Sequence, residues 1–181
     1  ADRRMVLALR VHDVRLRVIA LIHATIATLT LSLFWFTQAY QLLIGLPLAF
    51  FGIAHAVVCL AGAIASASVQ RVSRILDDRW FLVCIATTVI GGYLTLHFLP
   101  PTLAGLGLFL IVRVACGFLS PLTSDLVNRM TTSDIRATTL SVQAFAFRLL
   151  FVPIAPLLGH IGDRQGLPIA FGIGGVAGGV C

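Results

Sequence analysis

Residues 80–99 read WFLVCIATTVIGGYLTLHFL, a run of 20 residues without a single Asp, Glu, Lys or Arg. A helix of that length rises about 30 Å, which is the thickness of the hydrocarbon core of a bilayer. A helix that is apolar on every side needs an apolar environment on every side. The stretch therefore predicts a membrane-spanning helix.

Further apolar runs lie on both sides of this one. The six predicted spans are 18–38, 46–68, 80–99, 102–122, 137–158 and a short last one, 168–181. Because the gaps between them are short, consecutive helices should lie side by side and antiparallel. The sequence predicts an all-α, polytopic bundle of six transmembrane helices over residues 18–181. A cytoplasmic basic linker, residues 1–17, precedes it.

The arginines indicate which way the bundle faces. All 13 cations are Arg, and ten of them precede the first, third and fifth runs: Arg3, Arg4, Arg10, Arg15, Arg17, Arg71, Arg74, Arg79, Arg129 and Arg136. On the opposite side, the gaps contain only Arg164. Cytoplasmic loops carry the excess of positive charge. We therefore expect 70–79 and 123–136 in the cytoplasm, and 39–45 and 159–167 outside.

Composition excludes several classes of partner. The chain is 59% hydrophobic and 11% charged, with a net charge of +6. Its basic residues flank apolar runs and have no polar domain to occupy, so we expect a lipid bilayer as partner and no nucleic acid. The four cysteines show no metal-ligand spacing, so we predict no metal and no cofactor.

The ends of the chain suggest a longer protein. The sequence starts at Ala1 without Met, within a basic segment, and its last apolar run is too short to span a bilayer. We expect missing sequence at both ends. The alternative is a complete six-helix membrane scaffold, or a six-helix transporter that dimerises.

Two loop phrases resemble those of a known family. Residues 126–141, LVNRMTTSDIRATTLS, resemble the loop between helices 10 and 11 of major facilitator superfamily (MFS) transporters, through Asn128, Arg129 and Arg136. The phrase GHIGDRQG resembles that family's glycine-rich turn between helices 11 and 12. The matching residues of this turn are Gly159, Asp163, Arg164 and Gly166. At the family's loop between helices 8 and 9, only the basic character is kept, by Arg71 and Arg74.

The resemblance implies a fold and a function. The chain is expected to form helices 7–12 of a twelve-helix transporter, with helix 12 incomplete, and to pair with a missing N-terminal six-helix half. The activity implied is secondary active transport of a small molecule by alternating access, of the efflux or proton-coupled type. The implied location is the bacterial inner membrane, and a coupling proton is an open alternative among the partners.

Two arginines lie inside apolar runs at matched depth. Arg113 and Arg148 each fall 11 residues into their runs, and all seven Asp lie in loops or at helix ends. A charge at that depth must face protein or water. Either these arginines face the transport path and meet an anionic group, or they bond helix carbonyls and hold helices together. Ser120 shares a helical stripe with Arg113 and Gly117, and these small groups would leave room for a ligand.

The first span carries polar candidates as well. His23, Thr30, Thr37 and Gln41 lie on one stripe of its helix. His23 could relay a proton, because histidine titrates near neutral pH, or it could pack as a neutral side chain. The Thr hydroxyls could line a path or bond their own helix carbonyls. We predict no enzyme, since neither a GxSG nor an HExxH string occurs.

Overall fold

A computed structural model describes residues 14–131 and 133–180, and these residues form helices joined by short turns. The helices are α1 (Val14–Leu43), α2 (Phe51–Val72), α3 (Asp78–Phe98), α4 (Leu103–Met130), α5 (Ser133–Gln165) and α6 (Leu167–Val180). A short 3₁₀ turn, Leu48–Phe50, leads into α2. Five helices, α1 to α5, are long and apolar enough to cross a membrane. The prediction of an all-α bundle with long apolar helices is therefore confirmed for the described residues.

The helices extend beyond the predicted spans at several ends. The first span continues to Leu43, and the fourth continues to Met130. The fifth begins at Ser133 and ends at Gln165, so the predicted loops 123–136 and 159–167 are largely helical. Hydropathy marks only the part of a helix that lies in hydrocarbon, whereas backbone hydrogen bonds continue until a turn residue ends them. Gly166, with a φ of 92°, supplies that turn after α5.

The predicted basic linker, residues 1–17, overlaps the start of the first helix. Residues 14–17 belong to α1, so the helix starts before the apolar run does. Residues 1–13 lie outside the described part of the chain, and so does Cys181.

Helix pairing follows a repeated pattern. The closest pairs are α2 with α4, α1 with α5, and α3 with α6, and α1 also packs on α4. The helices α1, α2 and α3 can be exchanged with α4, α5 and α6, in that order. The contact between α2 and α4 then becomes the contact between α5 and α1. The contacts of α3 with α6 and of α1 with α4 stay the same. Corresponding helices run in opposite directions, because each lies three helices further along an antiparallel series. These largest contacts match two inverted three-helix repeats, whereas α5 also packs on α6 and the equivalent pair, α2 with α3, makes no comparable contact among the described residues.

The centre of the bundle is aromatic and tied by tyrosine hydroxyls. The ring of Phe171 packs edge-on against Tyr93 and Phe109. The hydroxyl of Tyr93 donates to the carbonyl of Leu29 at 2.6 Å. This bond satisfies the polar end of the Tyr93 ring, which is otherwise buried among apolar side chains.

Small residues bring helices close together at two places in the bundle. An ideal Cβ on Gly117 of α4 would lie 2.4 Å from the carbonyl oxygen of Gly62 in α2. Cβ atoms on Gly174 and Gly175 of α6 would collide with Tyr93 and Leu94 of α3. Helices in lipid associate through such close backbone approach. The least buried long helices are α2 and α5, with 11% and 6% of their apolar cores inside the bundle.

Candidate functional site

Arg113 lies between three helices at mid-depth. It is ten residues, or about 15 Å, from the start of α4. Its guanidinium carbon sits 5.5 Å from the centroid of the Phe34 ring of α1. The other side of its stem touches Gly62 of α2, where an ideal Cβ would be 3.0 Å from the Arg113 Nε. A cation over an aromatic face gains electrostatic attraction, which helps to hold this charge in place.

The Arg113 guanidinium has no acceptor in the described residues. Its Nε is buried and makes no hydrogen bond, and no ion pair involves Arg113. The alternative that it bonds helix carbonyls therefore finds no support here. Gly117, one turn below, is filled by the backbone of α2, so the expectation of open ligand space at Gly117 is wrong. Two glycines approach each other at this crossing, and the space they create is taken up by the helix contact.

Space for a ligand lies instead on the side of Arg113 that is nearer the start of α4. A cavity of about 240 Å³ between α1, α2 and α4 is lined by Thr37, Gln41 and Leu106, among others. A void of about 10 Å³ beside Arg113 shares Thr37, Val58 and Phe109 with that cavity. Gln41 is 1% exposed, and its Nε2 is buried with no partner among the described residues. Gln41 therefore lines the larger space and Arg113 lines the smaller one beside it, and each has a buried nitrogen without an acceptor in the described residues.

The threonines of α1 bond mainly to their own helix. Thr30 donates to the carbonyl of Ile26 at 2.8 Å, and Thr37 donates to that of Leu33 at 3.3 Å. This confirms the i−4 alternative for both. The longer Thr37 bond is weak, and Thr37 lines the cavity, so its hydroxyl can turn to another acceptor.

His23 has a partner that the sequence did not reveal. Its Nδ1 lies 2.8 Å from the hydroxyl of Thr123 in α4, and the amide of Gln143 in α5 donates to the same hydroxyl at 3.2 Å. Thr123 and Gln143 are both buried. One polar cluster therefore joins α1, α4 and α5. The available signal was Gln143 itself, the only side-chain amide in the run 137–158, since amides inside membranes bond across helices.

Arg148 and Ser120 lie elsewhere. Arg148 is exposed near the middle of α5, and no described hydrogen bond or ion pair involves it. Ser120 is exposed on α4 and lines neither of the two voids near Arg113. The structure places Gln41 on the larger space and Arg113 on the smaller one beside it. It does not bring Arg148, His23 or Ser120 to them.

The residues of the predicted cytoplasmic loops do not all come together in the structure. Arg129 bridges Asp78 of α3 at 3.1 Å and pairs with Asp125 of its own helix. Asn128 is in α4 with a buried Oδ1 that lacks a partner among the described residues. Arg71, Arg74 and Arg136 are exposed near helix ends, and none forms an ion pair in the described part of the chain.

In the predicted outer turn, only Gly166 occupies a turn. Gly159, Asp163 and Arg164 belong to α5, and both charged side chains are exposed. Gly159 has open space where a Cβ would be. The helix thus carries three of the four residues that the sequence placed in a loop.

Neither a scan against protein-family models nor a search of curated proteins finds a match for this chain. Among the described residues, no group of three or more His, Cys, Asp or Glu side chains is arranged to hold a metal ion.

Proposed function

We propose that this chain forms one half of an MFS-type secondary transporter, which moves a small molecule across a bacterial inner membrane by alternating access. In this proposal the second half is another six-helix bundle, and the transport path runs between the two. If transport is coupled to protons, His23 of α1 is a candidate for the protonatable group.

Helix pairing supports the proposal. Two inverted three-helix repeats within a six-helix unit are the arrangement found inside each half of MFS transporters. The pairs α2–α4 and α5–α1 exchange under that repeat, and α3–α4 has a weaker counterpart in α6–α1.

The observation that carries the proposal is Arg148. It is exposed near the centre of α5, the least buried of the long helices. A guanidinium at that depth cannot face lipid without a cost of several kcal/mol. Small residues share its stripe of the helix at helical spacing, namely Ser141, Ala144, Ala155 and Gly159, together with the larger apolar residues Phe145 and Val152. This stripe therefore suits an aqueous path or a second bundle, and a lipid-facing surface suits it poorly.

The test measures whether water reaches this stripe. In a background without native cysteines, we expect Ala144→Cys to react with a membrane-impermeant thiol reagent. Leu149→Cys is the control, because Leu149 is also exposed but lies about 140° around the α5 axis from Ala144. Equal protection of both cysteines from the reagent would overturn the proposal. Cross-linking of residue 144 between two copies would favour the dimeric six-helix alternative.

A further inference from the structure

We infer that the cavity between α1, α2 and α4 binds a small organic anion with an apolar body, through the Arg113 guanidinium and the Gln41 amide. The transport of that anion rests on the proposed function, whereas its binding can be measured without it. The ligand is defined by three features of the cavity: its donors, its lining and its size.

The donors require an acceptor. Arg113 and Gln41 each bury a nitrogen without a partner in the described residues. A buried donor left unpaired carries the full cost of desolvation, and a buried cation costs more. Thr37 lies along the wall between them, and its weak bond to Leu33 leaves a third donor available. One carboxylate accepts several such bonds and neutralises the guanidinium as well.

The lining requires an apolar body. Apart from Thr37 and Gln41, the larger cavity is walled by aliphatic and aromatic side chains and one glycine. These are Ala54, Val57, Val58, Leu106, Gly107, Phe109 and Leu110. A hydrated inorganic anion would lose water against such walls and gain nothing in return. An amphipathic anion places its carboxylate toward Arg113 and its hydrocarbon toward Leu106 and Leu110.

The size limits the ligand. A volume of about 240 Å³ is just below the range of about 300–1,000 Å³ for drug-sized ligand pockets. A single aromatic ring with a carboxylate is of suitable size. The 10 Å³ void next to Arg113 has room for about one water, so the carboxylate reaches the guanidinium directly or through that water.

Benzoate is the probe for this inference. The full chain is reconstituted in lipid nanodiscs at pH 7.5, where benzoate is ionised, and binding is measured by calorimetry. Benzyl alcohol, which has the same ring and no charge, is the matched ligand. We expect saturable benzoate binding that is at least about tenfold tighter than that of benzyl alcohol. Equal binding of the two, or no binding of benzoate, overturns the inference.

Variants locate the site. Arg113→Met should weaken benzoate binding about tenfold to one hundredfold and leave benzyl alcohol unaffected, since hydrogen bonds to charged groups are the strong ones. Gln41→Leu should weaken it about twofold to tenfold. The controls are Arg164→Met, which removes an exposed charge on the same side of the bundle, and Gln38→Leu, which removes an exposed amide from α1. Both should bind benzoate like the unchanged protein.

The outcomes distinguish a failure of the proposed binding site from a failure of the proposed transporter function. If Arg113→Met fails to fold by circular dichroism, Gln41→Leu against Gln38→Leu carries the test alone. Unchanged affinity in Gln41→Leu then overturns the assignment. Benzoate binding together with protection of Ala144→Cys from the thiol reagent would keep the site and reject the transporter. An accessible Ala144→Cys with no benzoate binding would keep the transporter and reject the site.

Discussion

Replacing Gly117 by alanine tests how closely α2 and α4 pack beside Arg113. The added Cβ would lie 2.4 Å from the carbonyl oxygen of Gly62 and 2.9 Å from the Cβ of Ala65. A relaxed contact between carbon and carbonyl oxygen needs about 3.3 Å. The obstacle is backbone and cannot rotate away, so the helices must separate by roughly 1 Å.

Gly107→Ala in the same helix is the matched control. Nothing lies within 4 Å of a Cβ built there. Both substitutions gain the same helix propensity, at most about 1 kcal/mol, so this gain cancels when the two variants are compared. Overpacking costs typically about 1–3 kcal/mol. We therefore expect the free energy of unfolding of Gly117→Ala to be lower than that of Gly107→Ala by about 1–3 kcal/mol.

The assay is reversible unfolding in mixed micelles of mild detergent and sodium dodecyl sulfate. Fluorescence of Trp35 and Trp80, which lie in α1 and α3, follows the loss of helix packing. If the two variants unfold with the same free energy, or if Gly117→Ala is the more stable, the close crossing of α2 and α4 is refuted.

The remaining predictions concern topology and polar contacts. Arg74→Cys should react with an impermeant thiol reagent only from the cytoplasmic side, and Gln165→Cys only from outside, when each is made in a background without native cysteines. Thr123→Val should destabilise the bundle by about 0.6–2 kcal/mol, because His23 and Gln143 lose their shared partner. Thr87→Val, which removes a hydroxyl that bonds only its own helix, should be close to neutral in the same unfolding assay. Arg129→Gln should cost at most about 1 kcal/mol, and that cost should shrink in high salt, since the Arg129 side chain is 53% exposed.

Much of the fold could be predicted from hydropathy. The number of long apolar segments follows from a requirement that acts within each helix, since each span needs about 20 apolar residues. Helix ends could not be predicted so well. α4 continues eight residues beyond its predicted end because backbone hydrogen bonding does not stop at the edge of the hydrocarbon.

The candidate site could be predicted only in outline. The depth of Arg113 follows from counting residues along one helix. Which helices surround Arg113 depends on how the faces of different helices pack against each other. Gly117 indicated open space in the sequence, and in the fold it is filled by Gly62. Thr123 and Gln143 lie in different segments, and nothing local to either segment reveals that they share a hydrogen bond.

Alternating access is the central claim, and one labelling experiment tests it most directly. Ala144→Cys and Gly159→Cys are combined, in a cysteine-free background, in the assembled transporter that holds this chain and its second half. The two positions share a stripe of α5 on the predicted inner and outer sides of Arg148. Gly159 tolerates the change, since nothing lies within 4 Å of a Cβ built there. A bulky impermeant maleimide first blocks residue 159 from outside. Labelling of residue 144 from the cytoplasmic side should then slow several-fold, because an outer path held open keeps the inner path closed. An unchanged labelling rate at residue 144 would contradict the account.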